Sequence, residues 1–99
     1  MLRHIVLFRF QPATEAATVT ALVESFAALP GQIAEVQAFE WGLNNSPEGL
    51  AHGYTHAFTL TFADATARDA YLVHPAHQAF VGRVQPHLAE ALVFDYDLP

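Results

Sequence analysis

The chain has no cysteine, no lysine and only four arginines in 99 residues. Without cysteine, disulfide staples, thiolate catalysis and thiolate metal sites are excluded. The cations are Arg3, Arg9, Arg68 and Arg83 alone, and the formal net charge is −6. No basic stripe exists to displace phosphate counterions, so nucleic acid is not an expected partner, and anionic membrane surfaces are disfavoured for the same reason. The apolar run Leu2–Phe10 is interrupted by Arg3, His4 and Arg9. It is too short and too broken for a membrane span or signal peptide, and a cytoplasmic protein is the expectation. A glycine-rich phosphate cradle, a nucleophile elbow and a dinucleotide fingerprint are also missing, so no cofactor is expected.

What is present is apolar. Hydrophobic residues make up 53% of the chain and charged residues 14%. A single domain over residues 1–99 buries a limited fraction of its surface, and this composition exceeds what such a monomer hides. A homodimer would absorb the excess.

Leu2–Phe10 reads as a strand that is apolar on both faces at its centre, the pattern of a strand buried on two sides. After Pro12, Thr14 is placed to cap a helix to about Leu29, with Val19, Leu22, Val23, Phe26 and Leu29 on one stripe. Pro30-Gly31 ends it. Ile33–Leu43 reads as a second strand, with Ile33, Phe39 and Trp41 on one side. A turn-rich stretch from Asn44 to Gly49 follows, long enough to suggest a lid or contact arm. Tyr54–Phe62 is the third strand, with Tyr54, His56, Phe58, Leu60 and Phe62 on one face. Asp64 or Thr66 starts a short helix that breaks before Pro75, and Pro75 opens another running to about Gln85. Ala91–Asp97 is the fourth strand, with Leu92, Phe94 and Tyr96 on one face. The order βαββαβ predicts an α+β, ferredoxin-like fold with a four-stranded antiparallel sheet. Its helices cover one face only, so packing sheet against sheet across a twofold axis is the simplest use of the other.

Six histidines could carry chemistry: His4, His52, His56, His74, His77 and His87. From His77, apolar residues recur at plus four, seven and eleven (Val81, Val84, Leu88), which turns the imidazole toward the sheet. It sits in the first helical turn, where the macrodipole disfavours a protonated ring. That suits a general base near neutral pH; a buried histidine bonded to a carbonyl is the plainer alternative. His74, just before Pro75, fits the helix start as a partner for free amides. His4 and His56 interrupt apolar strand faces, which points to a cavity, although flush antiparallel pairing would put them at opposite ends. Tyr71 lies just upstream of the His77 turn and is placed to polarise a carbonyl, or else to snorkel to the surface. We expect Phe8, Phe80 and Phe94 to contribute to the cavity wall. The spacing His74-x-x-His77 is compatible with metal ligation, but no carboxylate or thiolate is positioned with it, so no metal site is expected.

Four blocks resemble the stress-responsive A/B-barrel (Dabb) domain. They are Arg3-His4-Ile5-Val6-Leu7-Phe8, Gly53-Tyr54-Thr55-His56-Ala57, Tyr71-Leu72-Val73-His74-Pro75-Ala76-His77-Gln78-Ala79-Phe80 and Leu92-Val93-Phe94-Asp95-Tyr96. The likeness covers essentially the whole chain, and the His-Pro-Ala-His block is its most specific part. It implies a dimeric α/β barrel. It implies function loosely: most bacterial members have no assigned activity, and some plant members are stress-induced without a settled chemistry. One plant branch is a polyketide cyclase that performs an intramolecular aldol condensation without cofactor. Its catalytic tyrosine and histidine fall on Tyr71 and His77, and its cavity histidines on His4 and His56. The leading expectation is thus a homodimer binding a small apolar or aromatic molecule between sheet and helices, with His77 and Tyr71 as acid–base candidates. A non-catalytic stress-response protein is the main alternative, and a cofactor-free oxygenase a further one.

Overall fold

The computed structural model covers Met1–Pro99. Its elements run β1 (Leu2–Phe10), α1 (Ala16–Ala27), β2 (Ala38–Leu43), β3 (His56–Phe62), α2 (Ala65–Val73), α3 (Pro75–Val84) and β4 (Leu88–Asp97). The strands form one antiparallel sheet in the order β2-β3-β1-β4, the ferredoxin-like arrangement that the element order predicts. The two central strands, β3 and β1, carry the most deeply buried residues of the sheet.

Register decides which side chains share a face. Val6 lies opposite Phe58 and Val93, whereas Ile5 lies opposite Thr59 and Phe94. Leu2, His4, Val6 and Phe8 are buried beneath the helices along with Phe58, Leu60 and Phe62. Phe26 of α1 stacks on Phe58 with centroids 4.4 Å apart and meets Phe80 of α3 at 4.7 Å. These rings tie both helical layers to the sheet.

Local chemistry sets the helix boundaries. The Asp64 carboxylate accepts from the Ala67 N–H at 2.9 Å and starts α2. His74 takes extended backbone ahead of Pro75, and its Nδ1 accepts from the Ala76 N–H at 3.0 Å. It caps α3, as its position predicts.

Three expectations need correction. Thr14 does not cap α1: Glu15 occupies the cap without a side-chain bond, and the Thr14 hydroxyl donates instead to the His87 carbonyl. The second strand starts at Ala38, not Ile33. Ile33 and Val36 are buried at a three-residue spacing on a turn in which Val36 N–H bonds the Ile33 carbonyl, so their pattern was that of a turn, not an alternating strand. The last strand starts at Leu88, and its bulkier residues Leu92, Phe94 and Tyr96 face away from the helices. Phe94 is 60% exposed there, beside Ile5 and Leu7 of β1. This outer sheet face is the apolar surface that the composition anticipates. No helix is long and apolar enough to cross a membrane.

Candidate functional site

The break between α2 and α3 and the short side chains of β4 leave a space between them. Ala91, Val93 and Asp95 point inward from β4, and the short Ala91 and Val93 leave room beneath the helices. The result is a cavity of about 590 Å³, large enough for a small organic molecule. Its floor is His4, Val6 and Phe8; its wall includes Tyr71 of α2 and His77, Phe80 and Val81 of α3. Exposed Val93 and Leu72 mark the mouth.

Helix α3 presents two adjacent stripes. Phe80 and Val84 are buried toward the core, while His77 and Val81 border the cavity. His77 accordingly is half-buried, not sealed in the apolar stripe. Its Nδ1 lies 3.0 Å from the Leu72 carbonyl. A carbonyl only accepts, so Nδ1 carries the hydrogen and Nε2 keeps its lone pair in the neutral ring. Burial pushes the His77 pKa below the ordinary histidine value; the Leu72 bond opposes this, and neighbouring His4 adds to it. The ring is therefore a neutral base at pH 7.

Tyr71 packs against His77 with centroids 4.4 Å apart and is wholly buried, which rules out a snorkelling tyrosine. Its hydroxyl has no hydrogen-bond partner among the protein groups. Burial raises its pKa well above the usual phenol range, so it stays protonated and can act as a donor. An unpaired buried hydroxyl costs on the order of 1–3 kcal/mol. Such a group is the expected mark of a ligand contact.

Two polar residues of the site escaped the sequence reading. Asp95 Oδ1 lies 2.6 Å from His4 Nδ1, and Asp95 Oδ2 accepts from Arg68 at 2.9 Å. Arg68 is held in turn by Asp69 at 2.9 Å. The signal was an acidic residue at an inward parity of β4, masked because the opposite parity carries the larger apolar side chains.

The structure brings His4, Tyr71, His77, Phe8 and Phe80 together around this cavity. Phe94 and His56 are not among them. Phe94 stands on the opposite sheet face, for the parity reason given above. His56 pairs with Phe8 at the far end of β3, while His4 pairs with Leu60. His56 stacks parallel to Trp41 at 5.9 Å and borders a separate hollow of about 370 Å³ beneath the loop after β2. That loop borders the second hollow through Leu50 and Tyr54 and does not contribute to the first.

Burial also lowers the His56 pKa. Between the depressed folded values and the unfolded value near 6.5, the unfolded chain binds more protons than the folded one. The stability carried by these two neutral rings is fully present above pH about 6.5 and is lost as pH falls through that value. The melting temperature should fall by a few degrees on acidification below this point, and less steeply in a His77→Gln variant. Calorimetry across pH 5 to 8 (roughly the range over which histidine titrates) checks this; equal slopes in both proteins would refute it.

The description of the stress responsive A/B barrel domain (Dabb) family matches residues 2–98. The chain belongs to the Dabb family. It is 35% identical over 94 residues to the stress-response A/B barrel domain-containing protein HS1 of Arabidopsis thaliana, spanning 95% of this chain and 86% of that one. It is 24% identical to olivetolic acid cyclase of Cannabis sativa over 94 residues, 95% of this chain and 93% of the cyclase. Among solved structures, the Dabb chain superposes on At3g17210 of Arabidopsis thaliana with a TM-score of 0.95 at 33% identity, covering 100% of this chain and 96% of that one. A protein of unknown function from Thermobifida fusca, described as dimeric and ferredoxin-like, aligns with a TM-score of 0.81 at 28% identity, covering 98% and 90%.

Proposed function

We propose that this Dabb protein works as a homodimer whose cavities each take a small, largely apolar carbonyl compound, with His77 as base and Tyr71 as hydrogen-bond donor. The observation that carries the reading is the unpartnered Tyr71 hydroxyl, buried in an apolar cavity against a histidine whose tautomer leaves Nε2 basic. Support for the dimer comes from the exposed apolar outer face of the sheet and from the dimeric Thermobifida fusca relative.

The chemistry that suits this pair is an intramolecular aldol addition. His77 Nε2 removes a proton from a carbon between two carbonyls, and the C–H electrons move onto the enolate oxygen, where the Tyr71 hydroxyl donates a hydrogen bond. The enolate carbon then attacks a second carbonyl of the same molecule. A carbon–carbon bond forms, that carbonyl's π electrons become an alkoxide, and the His77 imidazolium returns the proton. The cavity supplies proximity, which accounts for a large part of such a barrier. Similarity to olivetolic acid cyclase favours this reaction class. Similarity to HS1, whose name carries no reaction, favours a second reading in which the same cavity binds without turnover.

Native mass spectrometry of protein purified from its own host tests the binding common to both readings. The expected species is a dimer carrying extra mass. In a Tyr71→Phe variant the extra mass should be lost while the fold is retained at equal or higher stability, since the orphan hydroxyl is gone. A monomer, or a dimer with equal occupancy in the variant, would contradict the proposal.

A further inference from the structure

We propose that Asp95 is a positioning residue that presents Nε2 of His4 to the cavity as a hydrogen-bond acceptor, so that His4 and Tyr71 together recognise a β-hydroxy carbonyl compound or the enol of a 1,3-dicarbonyl. The inference rests on the cavity being a ligand site, as proposed above.

The argument starts from Asp95. It points inward from the edge strand β4, and its side chain is only 20% exposed. Both oxygens are committed, Oδ1 to His4 at 2.6 Å and Oδ2 to Arg68 at 2.9 Å. Arg68 is braced on its far side by Asp69. A carboxylate held at both oxygens cannot rotate, and an ionised carboxylate only accepts. His4 must therefore place its Nδ1–H on Asp95. The ring itself is 4% exposed, wedged edge-on between Phe62 at 6.1 Å and Tyr71 at 5.9 Å. It has no freedom to flip. In the neutral ring the remaining nitrogen, Nε2, carries a lone pair and no hydrogen.

Next to that acceptor stands a donor. The Tyr71 hydroxyl is buried, protonated and unpartnered, and its ring adjoins that of His4. An acceptor and a donor on rings 5.9 Å apart, in a cavity whose lining is mostly apolar, match a ligand that carries the reverse pair close together: a hydroxyl for His4 and a carbonyl for Tyr71. A monoketone satisfies one of the two, and so does the O-methyl ether of the hydroxy ketone. Without Asp95 the imidazole would be free to carry its hydrogen on either nitrogen, and the acceptor would be lost half-way to a donor.

The test uses the full-length dimer and two readouts. Long-range proton–nitrogen spectra of the histidine rings report the His4 tautomer directly. Titration with 4-hydroxy-4-phenylbutan-2-one and its O-methyl ether reports recognition of the hydroxyl. We expect an unprotonated Nε2 on His4 in the wild type and at least about tenfold tighter binding of the hydroxy ketone than of the ether. In Asp95→Asn, whose amide can either donate to or accept from Nδ1, we expect mixed tautomers and a binding ratio lowered in proportion to the acceptor tautomer lost, with ether affinity unchanged. His4→Phe removes the acceptor altogether and should bring the ratio near one, and it serves as the deciding variant should Asp95→Asn not fold. A hydrogen on His4 Nε2 in the wild type overturns the proposal. So does a full hydroxyl preference in His4→Phe, or equal binding of both compounds by the wild type, which would leave the cavity reading standing. If neither compound binds, the cavity reading fails and the recognition proposal falls with it, whatever the tautomer.

Discussion

Replacing His77 with alanine is expected to lower turnover of an enolisable β-polyketone at least about 100-fold, the lower end of what a positioned general base contributes. His77, with Nδ1 bound to a carbonyl and its pKa lowered by burial, is prepared to take a proton through Nε2 at pH 7. The variant should stay folded and dimeric. His77 is half-buried, and what it gives up is one hydrogen bond to Leu72 and its contact with Tyr71, on the order of 1 kcal/mol. Product formation by wild type and variant, with sedimentation as a check on assembly, decides the matter. Equal turnover would remove His77 from the chemistry. A folded variant with no ligand loss and a wild type with no turnover would instead favour the binding-only reading. The acid side of the kcat/KM profile gives a second view: because the His77 pKa is depressed, activity should persist to lower pH than a free imidazole would permit.

The second large effect should come from the other face of the sheet. Phe94→Glu is expected to weaken the dimer at least about 100-fold and give a folded monomer by analytical ultracentrifugation. Phe94 is flanked by Leu92 and Tyr96 on β4 and lies opposite Ile5 of β1, so it sits within the exposed apolar patch. Two-fold symmetry would bury the introduced carboxylate twice, and burying a charge without a partner costs far more than tenfold in affinity. Within one chain the residue is 60% exposed and its one aromatic neighbour is Tyr96 at 6.4 Å, so the monomer itself should lose no more than about 0.5 kcal/mol. An unaltered dimer would show that the subunits meet elsewhere.

These two substitutions fall on opposite faces, and that distinction is where sequence reasoning succeeded least. Elements with a single dominant signal were legible: the apolar run of β1, the break before Pro75 and the capping role of His74 all reappear in the structure. His77 and Tyr71 were legible because helical spacing fixes direction within a few residues. Strand β4 was not, because both of its faces carry apolar residues and the larger ones, Leu92, Phe94 and Tyr96, face outward. Size suggested the core; pairing with β1 decided otherwise. The same ambiguity hid Asp95, since an inward carboxylate on a strand is recognisable only once its parity is known. For His56 the face and the opposite end from His4 were both legible, but not that the cavity lies only at His4's end, because a cavity at one end of a sheet leaves no mark in the period of a strand.

The bond from His4 to Asp95 joins residues 91 positions apart in the chain. Every other polar and apolar part of the cavity can be in place and the site still lacks a wall until β4 docks along β1. Closing so long a loop is an entropic hurdle that local helix formation does not help to cross. During synthesis at roughly 5–20 residues per second, β1 and α1 emerge seconds before the sheet edge that completes the cavity. Until that edge arrives β1 has one strand neighbour where it will have two, so this stretch of the nascent chain is the place for a chaperone to hold and for aggregation to begin.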